Sequence, residues 1–209
     1  INFAVDEGSI AKIRQLNLVG VQAFPEKVLL DLFALRTPGW MTWYTKNDQY
    51  SKQKLSADIE ALRSFYLDRG YLEFNVESTQ VSISPDKQDI YITINVTEGE
   101  TYQVSSVKLA GDLLLPEEEL RALVTIRPGE AFSRERLTET TKRISEKLGN
   151  EGYAFANVNA APEVDKEKRQ VAFTIFIDPG RRVYVRRLNV SGNTRTRDEV
   201  IRREMRQME

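Results

Sequence analysis

The feature that most constrains the fold of this chain is an internal repeat with a period of roughly 80 to 90 residues. Each copy opens with an acidic residue or a proline followed by glycine, at Glu7-Gly8, Glu98-Gly99 and Pro179-Gly180. Another glycine follows about twelve residues later in each copy, at Gly20, Gly111 and Gly192. A repeat of this length predicts several copies of one supersecondary unit, each the size of a small domain.

Within one copy the pattern of residues predicts the order strand, helix, helix, strand, strand. The first helix is expected to open at Pro25 or Pro116, because the fixed φ of proline suits the start of a helix. The second helix carries apolar residues at helical spacing, which in the two copies are Leu55, Ile59, Leu62 and Tyr66, and Leu137, Ile144 and Leu148. One face of this helix is therefore apolar and must pack on another element.

The last strand of each copy has an apolar residue at every second position. These residues are Ile90, Ile92, Ile94 and Val96 in one copy, and Val171, Phe173, Ile175 and Ile177 in the other. Such a period of two indicates a strand in a sheet with one covered face. The predicted fold class is therefore α+β, in which each unit has a three-stranded mixed sheet covered on one face by two helices.

The repeat also predicts how the chain divides into units. The segments are the last strand of a preceding unit at 1–8, complete units at 9–98 and 99–178, and the truncated start of a following unit at 179–209. The chain begins with Ile1 and not with methionine, and it ends at Glu209 inside a predicted helix. We therefore expect it to be a piece of a longer protein.

The composition excludes several classes of function. The chain has 30 basic and 31 acidic residues, and its net charge of -1 gives no general attraction for polyanions. It has no cysteine and no histidine, which removes disulfides, thiolate nucleophiles and the usual zinc sites. The sequence has no run of about 18 apolar residues, which is the pattern that predicts a membrane-spanning helix. We expect no catalytic residue, no metal site and no cofactor.

Four stretches of the sequence are similar to one known family of repeats. They are Leu67-Asp68-Arg69-Gly70-Tyr71, Ser78-Thr79-Gln80-Val81-Ser82, Asn95-Val96-Thr97-Glu98-Gly99 and Arg202-Arg203-Glu204-Met205-Arg206-Gln207-Met208-Glu209. The unit resembles the polypeptide-transport-associated (POTRA) repeat of the assembly factors for outer-membrane proteins. In that family five such repeats precede a membrane β-barrel. This chain resembles the end of the second repeat, the third and fourth repeats, and the start of the fifth.

The resemblance implies a function and a location. It implies the periplasmic portion of a Gram-negative outer-membrane protein that works as a non-enzymatic scaffold. Such a scaffold binds unfolded outer-membrane β-barrel proteins by β-augmentation and docks accessory lipoproteins. The barrel is missing from this sequence, so contact with the membrane is expected only through that absent part. Nucleic acid is not an expected partner.

The most informative candidate site is the second strand of the first complete unit. In the second unit this strand contains Pro162, and proline is tolerated in a sheet only at an edge or a bulge. By repeat symmetry the second strand is an edge in both units, and only the first lacks proline. A break in its apolar phase predicts a bulge near Ser78 to Gln80.

An open edge offers backbone hydrogen bonds to any extended peptide. The resemblance implies that the lipoprotein BamB contacts this strand, at Gln80, Val81, Ser82 and Ile83. The alternative is that Val81 and Ile83 simply face the core and that the edge remains solvated.

Two further candidate sites carry less specific patterns. An insert after Gly39 in the first unit places the aromatic residues Trp40, Trp43 and Tyr44 in a loop, where they either contact a client or pack on their own domain. In the final helix, Arg202, Arg206 and Glu209 share one face. The resemblance implies that this helix docks the lipoprotein BamD, and the alternative is a solvated face.

Other functions remain open on the sequence alone. The repeats could belong to another transporter of the same superfamily, such as a two-partner secretion or translocation-and-assembly pore, although the C-terminal stretch argues against it. A small nucleic-acid-binding α/β module is the alternative from a different class, and the cluster Arg181, Arg182, Arg186 and Arg187 favours it. An enzyme is the least expected class, because no convergent set of polar residues is found.

Overall fold

The structure is a computed structural model that describes residues 11–37, 49–184, 186–187, 189–192 and 195–205. Within these residues the chain forms two three-stranded sheets. Each sheet, with its helices, corresponds to one copy of the sequence repeat. We refer to the two copies as the first unit and the second unit.

The first unit has the predicted order of elements. They are β1 (Lys12–Val19), α1 (Glu26–Leu30), α2 (Lys52–Leu67), β2 (Asn75–Ile83) and β3 (Asp89–Thr97). The order across the sheet is β1-β3-β2, with β1 parallel and β2 antiparallel to β3. Pro25 lies immediately before the first helical residue of α1. The sheet is therefore mixed, and β2 is an outer strand, as the sequence predicts.

The second unit repeats this arrangement. Its elements are β4 (Gln103–Gly111), α3 (Glu117–Ala122), α4 (Arg134–Asn150), β5 (Asn157–Asp165) and β6 (Gln170–Asp178). The strand order is β4-β6-β5, again with one parallel and one antiparallel pair. A short helix, α5 (Asp198–Arg203), follows the second unit.

The core of each unit lies between the sheet and its helices. In the first unit the fully buried side chains include Ile92 and Ile94 of β3, and Leu62 and Tyr66 of α2. On β6 the equivalent face is formed by Val171, Phe173, Ile175 and Ile177, which are also buried. Burying one such side chain contributes about 1.5–3 kcal/mol, which explains why the apolar period of two in these strands identifies the covered face. The predicted fold class is confirmed.

One buried polar side chain in each unit fixes the segment that follows the first helix. In the first unit the two carboxylate oxygens of Asp58 accept the N–H groups of Ala34 at 2.7 Å and Leu35 at 3.0 Å. In the second unit the hydroxyl of Thr140 accepts the N–H of Thr125 at 3.0 Å. The flank of α2 that carries Asp58 therefore faces the segment after α1.

Direct hydrogen bonds join the two units where α2 ends. The carbonyl oxygen of Gly70 accepts the N–H of Tyr102 at 2.8 Å. The carboxylate of Asp68 accepts the N–H of Glu135 at 2.8 Å, in the first turn of α4, where unpaired N–H groups are available. Gly70 has a φ of +96°, and a Cβ added there would lie 3.2 Å from the carbonyl oxygen of Tyr102. The turn at Gly70 thus depends on glycine.

Candidate peptide-binding edge

The bulge in β2 is present, but it lies just before the residues predicted for it. The register with β3 shifts between Val76 and Ser78, so the extra residue is Glu77. Pairing is already regular at Ser78, whose hydroxyl accepts a hydrogen bond from the side-chain amide of Asn95 at 2.7 Å. The prediction of a bulge near Ser78 to Gln80 was therefore slightly too late in the strand. The bulge explains why the apolar residues of β2 stand at even-numbered positions before it and at odd-numbered positions after it.

Alternate residues of β2 turn their backbone groups away from β3. At the hairpin the N–H of Ser84 donates to the carbonyl of Asp89 at 2.9 Å, so the backbone of Ser84 faces β3. In an antiparallel pair, successive residues direct their N–H and C=O groups alternately toward and away from the partner strand. Since the register is continuous from Ser78 to the hairpin, Ser82 and Gln80 also face β3. The residues whose backbone groups face outward are Thr79, Val81 and Ile83.

The side chains of Val81 and Ile83 lie on the helix-covered side of the sheet without being covered. They pair with Ile92 and Ile90, whose side chains are buried in the core. Nevertheless Val81 is 38% exposed and Ile83 is 59% exposed. The helices therefore stop short of this edge. An apolar strip remains open beside the outward backbone groups.

The corresponding edge of the second unit is interrupted. Pro162 on β5 pairs with Phe173, the position that Ile92 occupies opposite Val81 in the first unit. Proline has no N–H group, so the outward row of donors on β5 is broken at its centre. The register of β5 with β6 also runs without a shift. The two units thus differ at the one position that matters most for adding a strand.

The structure brings together four of the residues predicted to form sites. The outer strand β2 carries all four, which are Gln80, Val81, Ser82 and Ile83. The backbone groups of Gln80 and Ser82 face β3, whereas those of Val81 and Ile83 face outward. Thr79 was missed, because its outward backbone becomes evident only when the bulge has been placed at Glu77.

The other two candidate sites fall mainly outside the described residues. Trp40, Trp43 and Tyr44 of the insert lie outside them, and so do Arg206 and Glu209 of the final helix. Arg202 lies near the end of α5. The basic cluster follows the second sheet and is part of neither sheet; it consists of Arg181, Arg182, Arg186 and Arg187.

One ionisable group with a shifted pKa lies next to the edge, in the hairpin that follows β2, where hydrogen bonds from the Ser84 hydroxyl and the Gln88 N–H lower the pKa of Asp86. A hydrogen bond from Lys166 lowers the pKa of Glu73, and the same contact, at 2.5 Å, raises the pKa of Lys166. Burial and a hydrogen bond to Glu98 raise the pKa of Tyr66. Since no acid or base stands among Thr79, Val81 and Ile83, binding to this backbone row needs no proton transfer.

Among the described residues, no cluster of three or more candidate metal ligands occurs. None of the helices in the described part of the chain is both long enough and apolar enough to cross a membrane.

Comparison with known proteins identifies the family of the two units. Residues 11–99 and 102–180 match the family model for POTRA, described as surface antigen variable number repeat. The chain belongs to the POTRA family. The resemblance predicted from the four sequence stretches is confirmed, and each POTRA match contains one of the two sheets.

Curated relatives extend the similarity over the whole chain. The outer membrane protein assembly factor BamA of Neisseria meningitidis is 35% identical over 100% of this chain and 26% of its own length. BamA of Buchnera aphidicola is 34% identical over 100% of this chain and 34% of its own length. This chain therefore spans about a quarter to a third of the length of these relatives.

Solved structures agree with the sequence comparison. The crystal structure of Haemophilus influenzae BamA POTRA3-5 has a TM-score of 0.81 and 28% identity, covering 100% of this chain and 82% of that one. BamA of Haemophilus ducreyi lacking POTRA domains 1-3 shares the fold, with a TM-score of 0.61 at 17% identity over 80% of this chain and 29% of that one.

Proposed function

We propose that this chain is a non-enzymatic periplasmic scaffold of the outer-membrane β-barrel assembly machinery. It binds unfolded outer-membrane proteins by β-augmentation along β2 of the first unit. The observation that carries the proposal is the outward row of backbone groups at Thr79, Val81 and Ile83, beside exposed apolar side chains. The names of the relatives, which are assembly factors for outer-membrane proteins, support the setting.

The chemistry of the edge suits a client that is recognised by its backbone. Each outward residue offers one donor and one acceptor, and each hydrogen bond to an added strand contributes about 1 kcal/mol net. Ordering the bound segment offsets much of this, so binding is weak and reversible. Strands of outer-membrane barrels alternate apolar and polar residues. The apolar residues of such a strand would cover Val81 and Ile83.

Accessory lipoproteins complete the proposal. BamB binds the first unit at Gln80, Val81, Ser82 and Ile83, using the same edge. BamD docks on the unit that begins after residue 178, through Arg202, Arg206 and Glu209. The aromatic insert, with Trp40, Trp43 and Tyr44, is a further contact for apolar client segments. These assignments are supported by the resemblance to POTRA repeats of assembly factors.

A proline exchange at Val81 tests the edge mechanism. The V81P variant copies the proline that the second unit already has at the equivalent position, so the fold is expected to survive. It removes the central outward N–H, which should weaken binding of a ten-residue peptide copied from a porin strand by roughly fivefold. Affinity is measured by NMR titration of the ¹⁵N-labelled chain.

A matched variant separates loss of the donor from loss of the side chain. V81T keeps the N–H and a β-branched side chain, and it should bind the porin peptide within about twofold of the parent chain. If V81P keeps its folded spectrum and binds as tightly as V81T, the outward N–H row is not the binding element, and the proposed function loses its support.

A further inference from the structure

An arginine on α2 has no partner in the described part of the chain. The Nε atom of Arg63 is shielded from solvent and makes no hydrogen bond there. Its guanidinium group likewise forms no ion pair with any described residue. An Nε–H that has lost water without gaining a hydrogen bond is unfavourable, while the residue as a whole is only half-buried, so the rest of its guanidinium group remains accessible to a ligand. Such a group is a candidate for binding a ligand.

The rotation of α2 places Arg63 beside β2. Asp58 contacts the segment after α1, and Phe65 packs on Phe24 with ring centroids 5.0 Å apart, so both mark the α1 side of the helix. With 3.6 residues per turn, Ile59 and Arg63 lie on the opposite flank. Because α2 and β2 are in contact, the flank that points away from α1 is expected to lie on the side of β2.

The level of Arg63 along the strand follows from one aromatic contact. Tyr66 stacks on Phe74 with ring centroids 4.2 Å apart, just before β2 begins. Arg63 lies three residues earlier, about 4.5 Å back along the helix. Helical side chains tilt toward the helix N-terminus, which is the direction in which β2 runs. The side chain of Arg63 is therefore expected to tilt along β2 in the direction of Thr79, where the outward row of backbone groups begins.

We propose that Arg63 is a specificity-determining residue of this edge and binds the carboxylate of an aspartate or glutamate on the strand that adds to β2. The proposal rests on the proposed function, since it requires a strand in that position. An added strand would lie between the α2 flank that carries Ile59 and Arg63 and the exposed side chains of Thr79, Val81 and Ile83, and none of these five residues is acidic. The preferred ligand is thus an extended segment with apolar residues at every second position and one acidic residue among them.

The second unit lacks both parts of this device. Its helix α4 aligns with α2 through the two N-cap serines, Ser51 and Ser133. That alignment places Ser145 at the position of Arg63, and Pro162 breaks the adjacent edge. The first unit therefore has both the arginine and the uninterrupted edge strand, and the second unit has neither. This is expected if the two features bind the same ligand.

A pair of peptides tests the proposal in the 209-residue chain. Both are nine-residue peptides in which valine and threonine alternate, with valine at the odd positions and either glutamate or glutamine at the central one. Dissociation constants are measured by NMR titration for the parent chain and for the R63S variant, which copies the second unit. The parent chain should bind the glutamate peptide about fivefold more tightly. R63S should bind both peptides equally, with the affinity of the parent chain for the glutamine peptide.

Two controls keep the result specific. Moving the glutamate by one position turns it to the opposite face of the sheet, and the preference of the parent chain should vanish. R63Q, a neutral side chain of similar length, should behave as R63S does and serves if R63S is less stable.

The outcomes separate this inference from the proposed function. Equal binding of both peptides by the parent chain, or a preference that survives in R63S or R63Q, would overturn the role of Arg63 while leaving strand addition intact. Failure of the parent chain to bind either peptide would overturn strand addition at β2, and the role of Arg63 with it.

Discussion

Replacing Asp58 with alanine should destabilise the first unit strongly. Asp58 is only 3% exposed, and its carboxylate accepts two backbone N–H groups, those of Ala34 and Leu35. In D58A both donors lose their partner. A buried donor without a partner costs about 1–3 kcal/mol, and the N–H of Ala34 is only partly buried and can regain some water. We therefore expect a loss of roughly 3 kcal/mol in the free energy of unfolding.

NMR gives an assay that resolves the two units. Urea unfolding of ¹⁵N-labelled D58A, followed through the amide signals of β3, should show a lower midpoint with an unchanged slope. D58N keeps one acceptor oxygen and should fall between D58A and the parent chain.

The equivalent residue in the second unit supplies the control. T140V removes the acceptor for the N–H of Thr125 and should cost roughly 1–2 kcal/mol, visible in the amide signals of β6 and not in those of β3. A loss below about 1 kcal/mol for D58A would show that water or a rearranged backbone replaces the carboxylate, and would refute this account of how α2 is anchored.

Two further predictions concern the junction between the units. G70A should lower the free energy of unfolding by about 1–2 kcal/mol, since φ is +96° and the new Cβ approaches the carbonyl of Tyr102; an unchanged melting temperature would contradict it. Because a hydrogen bond from Lys166 lowers the pKa of Glu73, this carboxylate stabilises the folded chain above its ordinary pKa, and that contribution disappears as the pH falls through the lowered value. An NMR titration in which Glu73 titrates at or above the ordinary glutamate pKa would contradict this.

Much of the fold follows from local patterns in the sequence. The apolar residues at every second position of β3 and β6 identify the buried face, because burial of each one contributes more than any local propensity does. Pro162 places β5 at the edge of its sheet, since proline has no N–H to donate to a strand on its outer side. Because the two units are repeats, β2 is also predicted to be an edge strand, and the structure has it at the edge of its sheet.

The finer features of the site depend on tertiary geometry that no local pattern contains. The bulge at Glu77 decides which backbone groups of β2 face outward, and a displacement of one residue exchanges the two sets. Arg63 occupies a position that is ordinary for an exposed arginine in a helix. Its relation to the edge emerges only from the rotation of α2, which the contacts of Asp58 and Phe65 fix.

Amide hydrogen exchange along β2 of the chain without ligand is the most direct test of the outward backbone row. The amides of Gln80 and Ser82 should exchange slowly, because they bond to β3, whereas those of Thr79, Val81 and Ile83 should exchange rapidly. Equal protection of all five amides would mean that another part of the chain already occupies the edge, and it would contradict strand addition at this site.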